Sequence, residues 1–283
     1  MLSTVSLPMS GVLRDRIIAA LRRLNPGATR THIALYDAQA NSATGAQVTC
    51  EARPLADLGP FVCTAAVLVD KGSGLATTDN VAAELFANGV RYGEGPVRAR
   101  TLLGGVPDSI SEMSYPEWAA PVIVQPGEAL GVRVQNETQD FSGNKLVVRF
   151  EGFHVSADEA RYIERVFGEL WVGGISLAVT AASTEDEKDV PVAQPVHVKS
   201  FARDSVDVVN DGAVQALTIL VGALNVTPAT LKHTAALPLR LIDDAGRLDV
   251  LVRPGEKITG KLQAAATRAV QLAFIGSTHY ARA

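Results

Sequence analysis

The stretch V-I-V-Q-P-G-E-A-L-G-V-R-V-Q at 122–135 recurs as V-L-V-R-P-G-E-K-I-T-G-K-L-Q at 250–263. In each copy an alternating apolar run meets Pro-Gly-Glu and a second alternating run follows. Alternation with a period of two belongs to a half-buried β-strand, because successive side chains leave a strand on opposite faces. A Pro-Gly pair between two such runs is a turn in which the glycine takes a positive φ. Downstream, V-V-R-F-E-G ending at Gly152 is matched by Q-L-A-F-I-G ending at Gly276. Pro126 lies 26 residues before Gly152 and Pro254 lies 22 before Gly276, a difference the size of a loop trim. One strand–turn–strand–loop–strand unit is therefore written twice. The structural turns are placed at Pro126, Gly127 and Glu128, and at Pro254, Gly255 and Glu256.

The repeat also decides a competing reading. Gly255, Gly260 and Lys261 satisfy the G-x-x-x-x-G-K part of a phosphate-binding loop, with Leu262 where a hydroxyl residue is needed for the metal ion. Such a loop must run from a strand into a helix whose first N–H groups face the phosphate. The same register in the first copy reads P-G-E-A-L-G-V-R-V, which alternates as a strand. A turn explains both copies, so no nucleotide and no other cofactor is expected.

Two segments have helical spacing. Val12, Leu13, Ile17, Ile18, Leu21 and Leu24 form an apolar stripe that stops at Asn25-Pro26-Gly27. Ser156 and Glu159 have the spacing of a capping box, and the apolar face after them is expected to run through Ile163, Val166, Phe167, Leu170 and Trp171. Most other segments read as strands: 61–70, 120–125, 130–136, 145–152, 174–181, 216–223, 237–242, 248–253 and 270–276. "ARTLLGG" at 99–105 belongs to the first copy, and D-D-A-G-R at 243–247 is expected to be a hairpin turn with Gly246 at positive φ. Residues 183–195 are charged and then proline-bearing, and read as an exposed connection. The expected organisation is all-β, two tandem antiparallel β-sandwiches with an N-terminal helix and a connecting helix. Its parts are a helical arm (1–30), a first sandwich (31–155), a connecting helix, strand and linker (156–195) and a second sandwich (196–283).

Little in the chain points to chemistry. Net charge is -4 over 283 residues, which gives no overall attraction to nucleic acid or anionic lipid. The first residues lack the basic and apolar regions of a signal peptide, and no apolar run reaches the ~20 residues needed to span a bilayer. Cys50 and Cys63 are expected to be reduced core residues, although a cross-strand bridge is an alternative. Ser176 in G-I-S-L-A resembles a nucleophile elbow but sits inside a strand-like run. His32, His154, His197, His233 and His279 include no metal-ligand spacing, so no metal site is expected. His154 and His279 follow the paired glycines and read as strand ends. The acidic groups at 184–189 and at Asp243-Asp244 read as solvated, and Arg91, Arg98 and Arg100 lack the interleaved aromatics of a nucleic-acid platform. Aromatic residues make up 5%, leaving Trp118, Tyr92 and Tyr115 as candidates to stack on a sugar.

A strand ending in P-V-I-V-Q-P-G-E, a second alternating strand, a polar loop and V-V-R-F-E-G-F resemble the closing strands of jelly-roll structural proteins of bacteriophage particles. The resemblance covers 31–155 in the first copy and 237–283 in the second. It implies a tandem jelly roll acting as a non-enzymatic virion component, whether capsid shell, decoration or collar. It also implies partners that are copies of itself and other virion proteins, and a location in the virion after synthesis in the host cytoplasm. The alternative class is a carbohydrate- or receptor-binding β-sandwich. The N-terminal stripe of Leu13, Ile17, Leu21 and Leu24, with Arg14, Arg16, Arg22 and Arg23 opposite, has no counterpart in the second copy. Such a stripe reads either as a helix packed on its own domain or as one docked on a partner subunit or a membrane, and its place outside the repeat makes the docked reading the expectation.

Overall fold

The computed structural model describes residues 11–27, 33–40, 47–70, 81–95, 97–105, 118–136, 146–180, 184–205, 214–227, 247–265 and 267–278. Residues 243–246 of the expected turn and the expected strand at 237–242 lie outside these residues, and Arg247, expected in the turn, opens strand β16.

After helix α1 (Gly11–Leu24), the first half contains β1 (Ala34–Ala40), β2 (Gln47–Ala52), β3 (Phe61–Asp70), β4 (Val81–Ala87) and β5 (Val90–Arg91). Short β6 (Val97–Arg98), α2 (Ala99–Leu102) and β7 (Gly104–Gly105) precede β8 (Val122–Val124), β9 (Leu130–Asn136) and β10 (Leu146–His154). Helix α3 (Ala157–Phe167) leads into β11 (Glu169–Val179), β12 (Glu185–Pro191), β13 (Val196–Ser205) and β14 (Val214–Val221). The last strands are β15 (Leu224–Asn225), β16 (Arg247–Val252), β17 (Lys257–Ala264) and β18 (Arg268–Thr278).

In the first half one sheet runs β1-β10-β3, with β7 and β8 both on the far side of β3, and the other runs β2-β9-β4-β5 with β6 also on β4. In the second half the sheets run β11-β18-β13-β16 and β12-β17-β14-β15. Setting the short β6 and β7 aside and counting each half from its first strand, both have the order 1-8-3-6 facing 2-7-4-5. That order is the eight-strand jelly roll. The chain is a tandem jelly roll.

The repeat extends to an irregularity of the sheets. In the first roll Gly152 on β10 lies opposite Cys63 and Glu151 opposite Ala65, so Thr64 is bulged out of β3. In the second roll Gly276 on β18 lies opposite Val198 and Ile275 opposite Ser200, bulging Lys199 out of β13. The bulge pushes a carbonyl against each glycine: a Cβ would lie 2.0 Å from the Val62 oxygen at Gly152 and 2.7 Å from the His197 oxygen at Gly276. No side chain fits there, which is why both copies end on glycine at this step.

The buried residues form two clusters. Roll two has its own, with Trp171, Leu177, Phe201, Ile219, Leu262 and Phe274. The larger one fills roll one and continues through α1 and α3 to Leu170 and Val172 of β11 and to Ala273 and Ile275 of β18. The rolls therefore share a core across their junction.

Three expectations are corrected. The second helix ends at Phe167, where Gly168 takes a positive φ and its N–H donates to the Glu164 oxygen, so Leu170 and Trp171 lie on β11. Residues 185–191 are not a connection but strand β12, paired along its length with β17. The charges that suggested a linker mark an edge strand, where outward Glu185, Glu187 and Asp189 face Lys261 and Lys257 on β17. The second roll thus begins at Glu169, ahead of the expected boundary at 196.

Candidate functional site

The two Pro-Gly-Glu turns are superimposable in their bonding. Gly127 and Gly255 have φ of 86° and 82°. The Glu128 N–H donates to the Gln125 oxygen and the Glu256 N–H to the Arg253 oxygen, both at 3.0 Å. The glutamate side chain then closes back on the turn. Gln125 N–H donates to Glu128 Oε2 at 2.9 Å, and Arg253 N–H to Glu256 Oε2 at 2.8 Å. Each glutamate thus satisfies the donor that the turn leaves unpaired, a role that alternation and turn signals do not encode.

These turns bring β8 and β16 to equivalent places, and β8 stands at the junction of the rolls. Strand β11 is the outer strand of its sheet, so its backbone groups on that side need partners. They find them in order along the strand. Leu170 N–H donates to the Pro121 oxygen at 3.2 Å, Glu94 N–H donates to the Val172 oxygen at 2.8 Å, and Gly174 N–H donates to the Glu94 oxygen at 3.0 Å. Further along, Lys188 Nζ donates to the Ser176 oxygen at 2.6 Å and Ala178 N–H donates to Asp186 Oδ2 at 2.7 Å. Backbone from roll one thus closes half of the edge and side chains from β12 close the rest. Ile123 of β8 and Tyr92 are part-buried against the same cluster as Leu170 and Val172.

The N-terminal stripe does not face outward as expected. Leu13, Ile17 and Leu21 are buried in the first cluster, packed with α3, and Arg16 lies over the Phe167 ring at 5.9 Å. Only Leu24 and Val12 remain half exposed. A helix outside the repeat can still cover apolar surface left by the helix that joins the rolls. The stripe records burial without recording what buries it.

His154 is the last residue of β10 and both its ring nitrogens are engaged. Nδ1 lies 2.9 Å from the Gly59 oxygen, which can only accept, so Nδ1 carries the proton. Nε2 then accepts from Tyr36 Oη at 2.6 Å, and Tyr36 Oη accepts from Leu55 N–H at 3.2 Å. The histidine ties loop 53–60 to β1 and β10. His279 lies outside the described residues, as do His32 and His233. His197 sits beside the bulge: its Nε2 is 2.7 Å from Asp249 Oδ1 and 2.9 Å from Lys199 Nζ. Hydrogen bonds from Lys199 and then His197 hold the Asp249 carboxyl below its usual range.

The remaining sequence motifs resolve into structure. Gly260 and Lys261 lie in β17, where Lys261 Nζ pairs with Glu185 at 3.2 Å. Arg133, its counterpart on β9, pairs with Glu84 of β4 at 3.4 Å. No phosphate loop is formed. Ser176 is an exposed residue of β11. Among the described residues no group of three or more His, Cys, Asp or Glu could hold a metal ion. Trp118 is buried, with its indole N–H donating to the Leu102 oxygen at 3.1 Å, and Trp171 is buried in roll two, so neither offers a face to a sugar. Tyr115 lies outside the described residues. Cys50 and Cys63 are unpaired and buried, and burial pushes the Cys50 thiol up to about 11 and that of Cys63 higher still. No described helix is long and apolar enough to cross a membrane.

No protein-family model and no curated protein matches the chain. Among solved structures, the major capsid protein P2 of bacteriophage PM2 is similar over 89% of this chain and 99% of that one, at 9% identity and a TM-score of 0.49. PBCV-1 VP54, fitted into a reconstruction of the virophage Sputnik, is similar over 90% and 98%, at 9% identity and a TM-score of 0.39. A chain of Sulfolobus Turreted Icosahedral Virus is similar over 89% and 94%, at 12% identity and a TM-score of 0.18. None of these likenesses reaches a TM-score of 0.5, and none assigns a role to a residue of this chain.

Proposed function

We propose that this protein is a non-enzymatic building block of a virus particle, most specifically a shell component of a bacteriophage virion. The observation that carries the reading is the junction: two jelly rolls of identical strand order are joined through main-chain pairing at β11 and through a common core. Two like sandwiches held as one block present repeated surfaces to neighbours, which is what a closed assembly requires of its subunit. Copies of the chain and other virion proteins are the partners, and the virion is its location. Those of the residues singled out for chemistry that are described lie in turns, strands and strand ends. The tryptophans that sugar recognition would use are buried.

Quantitative mass spectrometry of purified particles tests this proposal. A shell component is present in a copy number far above that of a portal or tail protein. Recovery of the chain only in the soluble fraction of infected cells, with none in particles, overturns it.

A further inference from the structure

Along its outer side β11 is met in the same way by two unlike parts of the chain. The Glu94 N–H donates to the Val172 oxygen at 2.8 Å and the Glu94 oxygen accepts from the Gly174 N–H at 3.0 Å, as one residue of a parallel strand does. Further along, Lys188 Nζ donates to the Ser176 oxygen at 2.6 Å and Asp186 Oδ2 accepts from the Ala178 N–H at 2.7 Å. The same donor and acceptor thus recur, at 172 and 174 and then at 176 and 178, but the second pair is made of side chains. Lys188 Nζ and Asp186 Oδ2 also lie 3.6 Å apart, so the cation and the carboxylate stand side by side. Together the two side chains imitate one residue of a strand.

Satisfying the backbone does not by itself require this arrangement. Ser176 and Ala178 are exposed, so water can serve both groups. In roll one the places of Asp186 and Lys188 are filled by Val48 and Cys50, which are buried in the core. Roll two therefore gives up two core-facing apolar side chains to cover groups that solvent reaches. What the covering does exclude is another strand. The Ser176 oxygen and the Ala178 N–H are complementary to themselves. Two copies of the edge, antiparallel about a two-fold at Leu177, would exchange them, each Ala178 N–H donating to the Ser176 oxygen of the other copy. We propose that Asp186 and Lys188 occupy a strand-binding site on β11 whose fitting occupant is the same edge of a second copy, and that they keep copies from joining there. The neighbouring edge is protected by the outward Glu185, Glu187 and Asp189 of β12 and by Pro191 at its end, so the whole corner is closed to strand addition. This guard belongs to the folded chain and acts whether or not the chain enters a particle.

The test uses full-length chains with a spin label at Ser176→Cys, Cys50 and Cys63 being buried away from the reagent. The label leaves the guard intact, because Lys188 meets the main-chain oxygen of residue 176. Strands joined by hydrogen bonds lie ~4.8 Å apart, so labels on paired edges couple strongly. Asp186→Ala with Lys188→Ala is expected to associate through β11 at least tenfold more tightly than the chain with its guard, and to bring the labels into contact. Glu185→Ala with Lys261→Ala is the control: it removes a neighbouring ion pair of 3.2 Å, likewise without changing the net charge, and should show no label contact. Adding Ala178→Pro to the guard variant should abolish the contact. It removes the N–H that the pairing needs, and that N–H points away from β18, so the sheet tolerates proline there. Melting curves confirm that each chain is folded. Should the alanine pair not fold, Asp186→Val with Lys188→Val replaces it, giving β12 apolar residues where β2 has Val48 and Cys50, with the same contact expected. Label contact in the guarded or control chain, no contact in the folded guard variant, or contact that survives Ala178→Pro each overturns the proposal.

Discussion

Glycine does two different jobs in this chain, and the repeat displays each of them twice. At Gly127 and Gly255 nothing lies within 4 Å of where a Cβ would be, so only the positive φ excludes other residues. At Gly152 and Gly276 a carbonyl oxygen lies only 2.0 and 2.7 Å from where the Cβ would be. The two kinds respond differently to substitution. Gly127→Val and Gly255→Val should each lower stability by ~1 kcal/mol or more, while Gly127→Asn recovers part of the loss because asparagine tolerates the left-handed region. Denaturant melts of the three variants check this, and an asparagine variant no more stable than the valine one refutes the conformational account. The turn and its glycine were legible in the sequence, since Pro-Gly between alternating runs has few other meanings. The glutamate that closes the turn was visible only as a repeated letter. Its bond to the backbone N–H of Gln125 or Arg253 depends on a side-chain rotamer, which spacing does not fix.

Elements were legible where one face is buried and the other wet. Strands β3, β9, β10 and β18 alternate or run apolar, and the capping box of α3 begins at Ser156 as its spacing predicts. β12 escaped because it breaks that rule. The places that Val48 and Cys50 fill with apolar side chains on β2 are held on β12 by Asp186 and Lys188, which turn away to bond the edge of β11. A strand whose inward positions are spent on a neighbour's backbone looks like a linker in composition. α1 misled in the opposite sense, because its stripe is real but its partner is α3 and the first core rather than another molecule. Ile17→Ala should therefore cost ~2–5 kcal/mol, as deletion of a fully buried aliphatic side chain does. Leu24→Ala, at a half-exposed site, should stay within about 0.5 kcal/mol. Chemical denaturation of both decides the matter: an Ile17→Ala chain as stable as the unaltered one returns the helix to the role of a docking arm.

At the scale of the whole molecule the question is whether the chain is one cooperative unit or two. Each roll has its own inner core, yet Leu170, Val172, Ala273 and Ile275 of roll two are buried in the cluster that fills roll one. The edge of β11 also takes its hydrogen bonds from Pro121 and Glu94 of roll one. Unfolding roll one alone would uncover those four side chains and leave the edge groups of Leu170, Val172 and Gly174 without their partners. Burial of an aliphatic side chain is worth ~1.5–3 kcal/mol, so losing the junction would remove a large part of a stability that is itself only ~5–15 kcal/mol for a typical domain. The chain carries two tryptophans, Trp118 in the first core and Trp171 in the second, and these report on the two rolls separately. Single-tryptophan variants, Trp118→Phe and Trp171→Phe, should give coincident denaturant transitions by fluorescence. The same midpoint should appear in thiol labelling, since Cys50 and Cys63 are both buried in roll one with thiols held protonated by burial. Two transitions, with Trp118 and the thiols moving together and Trp171 moving apart, would mean that the rolls unfold independently. The junction would then be a contact between separate domains instead of the continuation of one core.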